Sequence, residues 1–159
     1  MSNLTAFLAQ NAIQAESEKH VVSKRFVEPV IDEETGEQKI DDKGKPVTQP
    51  VKWEVGAIDS EEDAALRKEK TRRLPVPGKK NMFQPTTDYD AYLASLAVKC
   101  TLFPNLHSAE LQDSYGVKGA EALLQRMLLP GEYAEYLKLI QTVNGFDVGM
   151  DEMVDEAKN

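Results

Sequence analysis

Residues 109–133 read AELQDSYGVKGAEALLQRMLLPGEY, and the spacing of apolar residues in this stretch decides the fold. Ser108, just before it, is a good cap for a short turn of helix that Gly116 then interrupts. Residues 119–128 carry Leu123, Leu124, Met127 and Leu128 on one side of a helix. Pro130 suits the first turn of a final helix whose apolar face is Tyr133, Tyr136, Leu137, Ile140 and Val143, and Gly145 sits where a C-terminal cap belongs. Read for chemistry, the same stretch offers only Ser114 in D-S-Y-G. That is not a nucleophile elbow, because Gln112 stands where the first glycine of G-x-S-x-G is required.

Upstream, Thr87 with Asp90 makes a capping signature. Tyr89, Tyr92, Leu93, Leu96, Ala97, Cys100 and Phe103 share one face of a helix that Pro104 and Asn105 end. A further helix is expected from Ser60, with Asp63 completing its capping box, to about Arg72, stopping before Pro75 and Pro77. Val51, Trp53, Val55 and Ala57 alternate with Lys52, Glu54 and Gly56, the period of a half-buried strand. It is expected to pair antiparallel with residues 20–27. The connection, residues 28–50, holds seven acids between Glu28 and Gly44 against two lysines, and reads as an exposed, mobile acidic hairpin arm or loop rather than core. Leu4, Phe7, Leu8 and Ile13 suggest a short amphipathic helix at the N-terminus. The expectation is an α+β fold, predominantly α-helical: a helical domain with a small N-terminal antiparallel β-hairpin or sheet. One domain is expected over residues 1–146, followed by an acidic, disordered tail over 147–159.

Composition limits the function classes. The chain of 159 residues carries a formal net charge of −8, which repels phosphate backbones. Its single cysteine, Cys100, excludes an intramolecular disulfide and points to a reducing compartment. Placed on an apolar helix face, it reads as an inert core thiol. The earliest lysine is Lys19, and no apolar run approaches the roughly 18 residues a membrane helix needs, so a soluble cytoplasmic protein with no membrane partner is expected. Two histidines and one cysteine are too few for a zinc site. His107 and Glu110 have helical ligand spacing, but on a surface turn. The acidic arm fails as a calcium loop, since Asp32 leads to glycine at the wrong position. No phosphate-binding glycine motif precedes Lys79 and Lys80. No enzyme activity, cofactor, metal or small-molecule substrate is expected.

One charged feature has competing readings. Arg67, Lys68, Lys70, Arg72, Arg73, Lys79 and Lys80 face only Glu69 between residues 67 and 80. They read as a solvated helix end and loop, with cations favoured by the helix dipole. They also read as a docking surface for an acidic partner, such as the acidic arm or tail of a neighbouring copy. Nucleic acid ranks third, since no aromatic residues interleave the cations.

The chain resembles the XkdN-like family of phage tail assembly chaperones. The likeness runs in order through SKRFVE at 23–28, KWEVGAI at 52–58 and RKEKTRR with the PGK at 77–79. It continues through FPNLHSAELQDSYGVKGAEALLQRMLLPGEY at 103–133 and ends on NGFD at 144–147. It departs at residues 28–50, where the family often has a short glycine turn. The resemblance implies a host-cytoplasmic protein of phages and prophages of Gram-positive bacteria, which binds the tape-measure protein during tail assembly and is absent from the finished virion. It also implies that a ribosomal frameshift near the end of the gene adds a second domain in many such phages. It supplies no catalytic residue. The alternative is a structural minor tail or head–tail connector protein retained in the particle. A chaperone for a long amphipathic partner needs an apolar face. Leu123, Leu124, Met127, Leu128, Leu129, Tyr133, Tyr136 and Leu137 are either all core or partly such a face, and self-association through them would make a homo-oligomer. All of these but Leu129, together with Arg67, Lys68, Arg72 and Arg73, are the candidate partner-binding residues.

Overall fold

Trp53 shows how sheet and helices share one core. In the computed structural model, which describes residues 3–146, its indole is enclosed between the edge of Tyr136, at 5.2 Å between ring centroids, and Phe26 at 6.3 Å. The expected alternation holds only at its centre: Trp53 and Val55 are buried and Glu54 between them is half-buried, so β4 (Trp53–Val55) turns one face inward. Val51 is half-buried and Ala57 exposed, both outside the strand. β4 is the middle strand of a three-stranded antiparallel sheet. On one side lies β1 (Glu18–His20), with Lys19 opposite Glu54; on the other lies β7 (Thr101–Phe103), with Val55 opposite Thr101.

Of the expected antiparallel pairing of residues 51–58 with 20–27 only His20 opposite Trp53 lies inside both ranges; the chain forms two separate antiparallel pairs instead. β4 takes β1, and β2 (Val27–Pro29) takes β3 (Thr48–Pro50), with Glu28 opposite Gln49. Beyond that pair the acidic arm folds back on itself through bridges joining Ile31 to Gln38 and Ile40 to Pro46. Two tight turns close it, with Asp32 accepting from the Glu34 N–H and Asp41 from the N–H groups of Lys43 and Lys45. The segment is largely exposed as expected, and of the two readings, hairpin arm or loop, its antiparallel bridges and turns are those of the hairpin arm.

The expectation of a predominantly helical chain with one N-terminal hairpin is overturned. Among the described residues 38% are helical and 20% are strand, and the three sheets are spread from Glu18 to Phe103. Two helices stop earlier than their periodicity suggested. α1 (Ser60–Glu69) ends at Lys70 instead of about Arg72. The chain then enters β5 (Thr71–Pro75), which pairs with β6 (Phe83–Thr87) from Thr71 opposite Thr87 out to Pro75 opposite Phe83. The β-branched Thr71, Thr86 and Thr87 favour strand here, and the Thr71 and Thr87 hydroxyls bond each other at 2.8 Å. α2 (Tyr89–Cys100) likewise ends before Phe103, because Thr101–Phe103 completes the first sheet as β7.

Both caps sit one residue from the expected place. Asp59 caps α1 and forms the box with Glu62, and Asp88 caps α2 by accepting from the Ala91 N–H. In each case the aspartate carboxylate is a stronger acceptor than the neighbouring hydroxyl of Ser60 or Thr87. Residues 3–13 hold only a short 3-10 helix (Asn3–Phe7), and Phe7 is 79% exposed and Ile13 fully so; no amphipathic face is buried there.

The C-terminal helices follow the pattern of residues 109–143. α3 (Ala109–Ser114) is capped by Ser108 and broken at Gly116. α4 (Ala120–Met127) and α5 (Pro130–Val143) follow, and Gly145 ends α5 at positive φ. Leu123, Leu124, Tyr136 and Ile140 from α4 and α5 close over Leu96, Ala97 and Cys100 of α2, a single core reached from both helical and sheet layers. The tail expected over residues 147–159 lies outside the described residues.

Candidate partner-binding surface

The apolar residues offered as a partner face divide by burial. Leu123 and Leu124 are 0% exposed, and Met127, Leu128 and Tyr136 are buried with them. Tyr133 and Leu137 are half-buried at the margin of the core, and Leu129 is 55% exposed. Leu129, Tyr133 and Leu137 are spaced by four and form one stripe along the start of α5. Leu129 is also the N-cap of that helix, in extended conformation. A leucine has no acceptor for the free N–H groups; the reciprocal half of the cap is made by Glu132, whose carboxylate accepts the Leu129 N–H at 2.8 Å.

Glu132 ties this end of α5 to the base of the acidic arm. Arg25 donates to its carboxylate at 2.9 Å and also to the Met127 carbonyl. The Ser23 hydroxyl, the Leu129 N–H and Arg25 together hold the Glu132 carboxyl at about 2, well below the usual carboxylate range.

The basic residues divide too. Arg67 donates to Asp63 at 3.0 Å, one helical turn earlier, and its guanidinium lies 4.6 Å over the Tyr92 ring and 5.9 Å from that of Phe146. Asp63 raises the Arg67 pKa further and accepts the Tyr92 hydroxyl, whose own pKa burial and Asp63 push up to about 12. Arg67 is therefore a strut between α1, α2 and the end of α5. Lys68, Arg72 and Arg73 are exposed. Arg72 and Arg73 stand on the β5–β6 hairpin with Lys79 and Lys80 at its tip, and from Lys70 to Thr87 there is no acid. Leu74, Met82 and Phe83, each about half exposed, lie on the same hairpin. In the sequence these three are marked only by the run of Thr, Arg and Leu on one side of PGKKN and of Phe and Thr on the other, the signal of a hairpin.

The groups considered for nucleophilic chemistry have structural partners. Cys100 is buried, its thiol pKa pushed up by burial, and Asn144 donates to its sulfur at 3.3 Å. The Ser114 hydroxyl donates to the Leu111 carbonyl of its own helix. Among the described residues no group of three or more histidine, cysteine or acidic side chains could hold a metal ion, and no helix is long and apolar enough to cross a membrane. The geometry supplies surfaces for binding.

Residues 4–158 match the family described as phage XkdN-like tail assembly chaperone protein. The chain belongs to that family. Two Bacillus subtilis (strain 168) proteins are similar along nearly the whole length. The uncharacterized protein YqbN is 30% identical over 99% of this chain and 93% of its own. The phage-like element PBSX protein XkdN is 28% identical over 99% of this chain and 94% of its own. The crystal structure of YqbN is also similar in fold, with a TM-score of 0.63 and 25% identity over 92% of this chain and 99% of that one. This XkdN-like chain therefore has the architecture of a tail assembly chaperone.

Proposed function

We propose that this chain binds the tape-measure protein stoichiometrically in the host cytoplasm during tail morphogenesis, acts by binding rather than turnover, and is absent from the mature virion. The observation that carries the reading is the family match over residues 4–158. A long amphipathic helical partner needs a complementary apolar strip on its chaperone. The Leu129, Tyr133 and Leu137 stripe of α5 supplies one that keeps exposed surface, whereas Leu123, Leu124, Met127, Leu128 and Tyr136 are occupied in the core.

Co-expression tests the role: the tape-measure protein stays soluble with this chain and the two elute together on gel filtration. Equal solubility without the chain, and no complex, overturns it. Mass spectrometry of purified virions tests departure, and many copies per particle would instead make the chain a structural component. The stripe is tested by Leu129→Ser. Serine supplies the acceptor that the N-cap lacks, so stability is kept or raised by up to about 1 kcal/mol, while tape-measure capture weakens by about 10-fold. Unchanged capture would exclude the stripe.

A further inference from the structure

Two hairpins have their roots near opposite ends of α5, and they carry opposite charge. The β5–β6 hairpin with its entry residue, Lys70–Thr87, holds five cations and no acid. The arm, residues 28–50, holds seven acids and three lysines. Among the described residues the ion pairs are Glu18 with His20, Arg25 with Glu132, Asp63 with Arg67 and Glu69 with Lys70. Neither the arm acids nor Arg72, Arg73, Lys79 and Lys80 have a partner in that set.

Helix α5 measures the separation of the two. Its first turn holds Glu132, paired with Arg25 beside the root of the arm. Just past its last turn Phe146 sits against Arg67, in the turn of α1 that leads into the β5–β6 hairpin. Fourteen residues lie in this helix, which at 1.5 Å per residue is about 21 Å. The arm leaves the body at one end and the basic hairpin at the other, so the arm's natural counterpart is the hairpin of a different molecule. Both projections are built to hold their shape. The hairpin has a five-pair ladder locked at its root by Thr71 and Thr87, and the arm has two aspartate-capped turns. Strand edges are blunted by Pro75 and Pro85 on one and by Pro29, Pro46 and Pro50 on the other, which disfavours edge-to-edge pairing and leaves side-chain charge as the recognition element.

We infer that the acidic arm of one copy docks on the basic β5–β6 hairpin of a second copy of this chain. The contact is heterologous, head to tail, so each copy retains a free arm and a free hairpin and the assembly grows until it closes as a ring or continues as a filament. Charge attraction of this kind is screened by salt.

Sedimentation of the full chain at low and high salt tests it, without any other tail protein, so its outcome is independent of tape-measure binding. Self-association is expected at low salt and reversal at high salt. Reversing the hairpin (Arg72→Glu, Arg73→Glu, Lys79→Glu, Lys80→Glu) or the arm (Glu33→Lys, Glu34→Lys, Glu37→Lys, Asp42→Lys) weakens association by roughly 100-fold. None of these residues belongs to the core or to the aspartate caps of the arm turns, and circular dichroism verifies that each variant is folded. Mixing the two reversed proteins restores association in a 1:1 complex, which loss of structure would not do. A wild-type chain that stays monomeric at low salt overturns the inference, as do reversed variants that associate like wild type or a mixture that stays apart. Association abolished by ending the chain after Phe146, but unaffected by arm reversal, would assign the hairpin to the chain's own acidic tail and also overturn it.

Discussion

Leu123 and Tyr133 lie ten residues apart on consecutive helices, and both satisfy an amphipathic pattern, yet only one is enclosed. Leu123→Ala should therefore cost about 2–5 kcal/mol in urea denaturation, the cost of a cavity in a packed core. A loss below 1 kcal/mol would mean that this core is loosely closed. Glu132 carries the clearest pH dependence. Its folded pKa of about 2 lies below the ordinary value of 4.5, so its stabilising contribution is complete above about pH 4.5 and is lost as pH falls through about 2. The stability difference between wild type and Glu132→Gln should accordingly be constant near neutrality and shrink between those values. A difference independent of pH across that window would separate Glu132 from the acid sensitivity of the fold. Periodicity reports which side of a helix is apolar. It does not report how wide the neighbour is that covers it, and so could not divide Leu123 from Tyr133.

At the scale of elements, boundaries diverged where a strand competed with a helix. α1 and α2 each stop short because the residues that follow, Thr71–Pro75 and Thr101–Phe103, gain backbone partners in sheets. Pattern and propensity within a window do not contain those partners, since β7 pairs with a strand about 50 residues earlier in the chain. Elements whose signals are local were legible: Ser108 caps α3, Gly116 ends it, Pro130 opens α5 and Gly145 closes it. One junction makes a sharp test. Gly119, the N-cap of α4, has φ 99° and ψ 147°, a conformation open essentially to glycine alone. Gly119→Ala should lower stability by about 1–3 kcal/mol although no atom lies near the added methyl. An unchanged melting midpoint would show that the α3–α4 junction relaxes freely.

At the scale of the molecule, the chain joins one packed core to two solvated hairpins of opposite charge. That division suits a protein whose surface, more than any pocket chemistry, performs its work. By itself the sequence determined the charge imbalance, the C-terminal helices, the inward alternation of Trp53 and Val55 and, through ordered motifs from residue 23 to 147, the family. Each of these depends on residue identity or on spacings of a few positions, which survive without knowledge of the fold. Only the tertiary structure decided that Arg67 is a strut while Arg72 and Arg73 face water. It likewise decided that five of the proposed contact residues are core, and that the acidic and basic hairpins stand at opposite ends of α5. These are properties of relative position, set by which long-range strand and helix pairs form when the apolar faces close on one another.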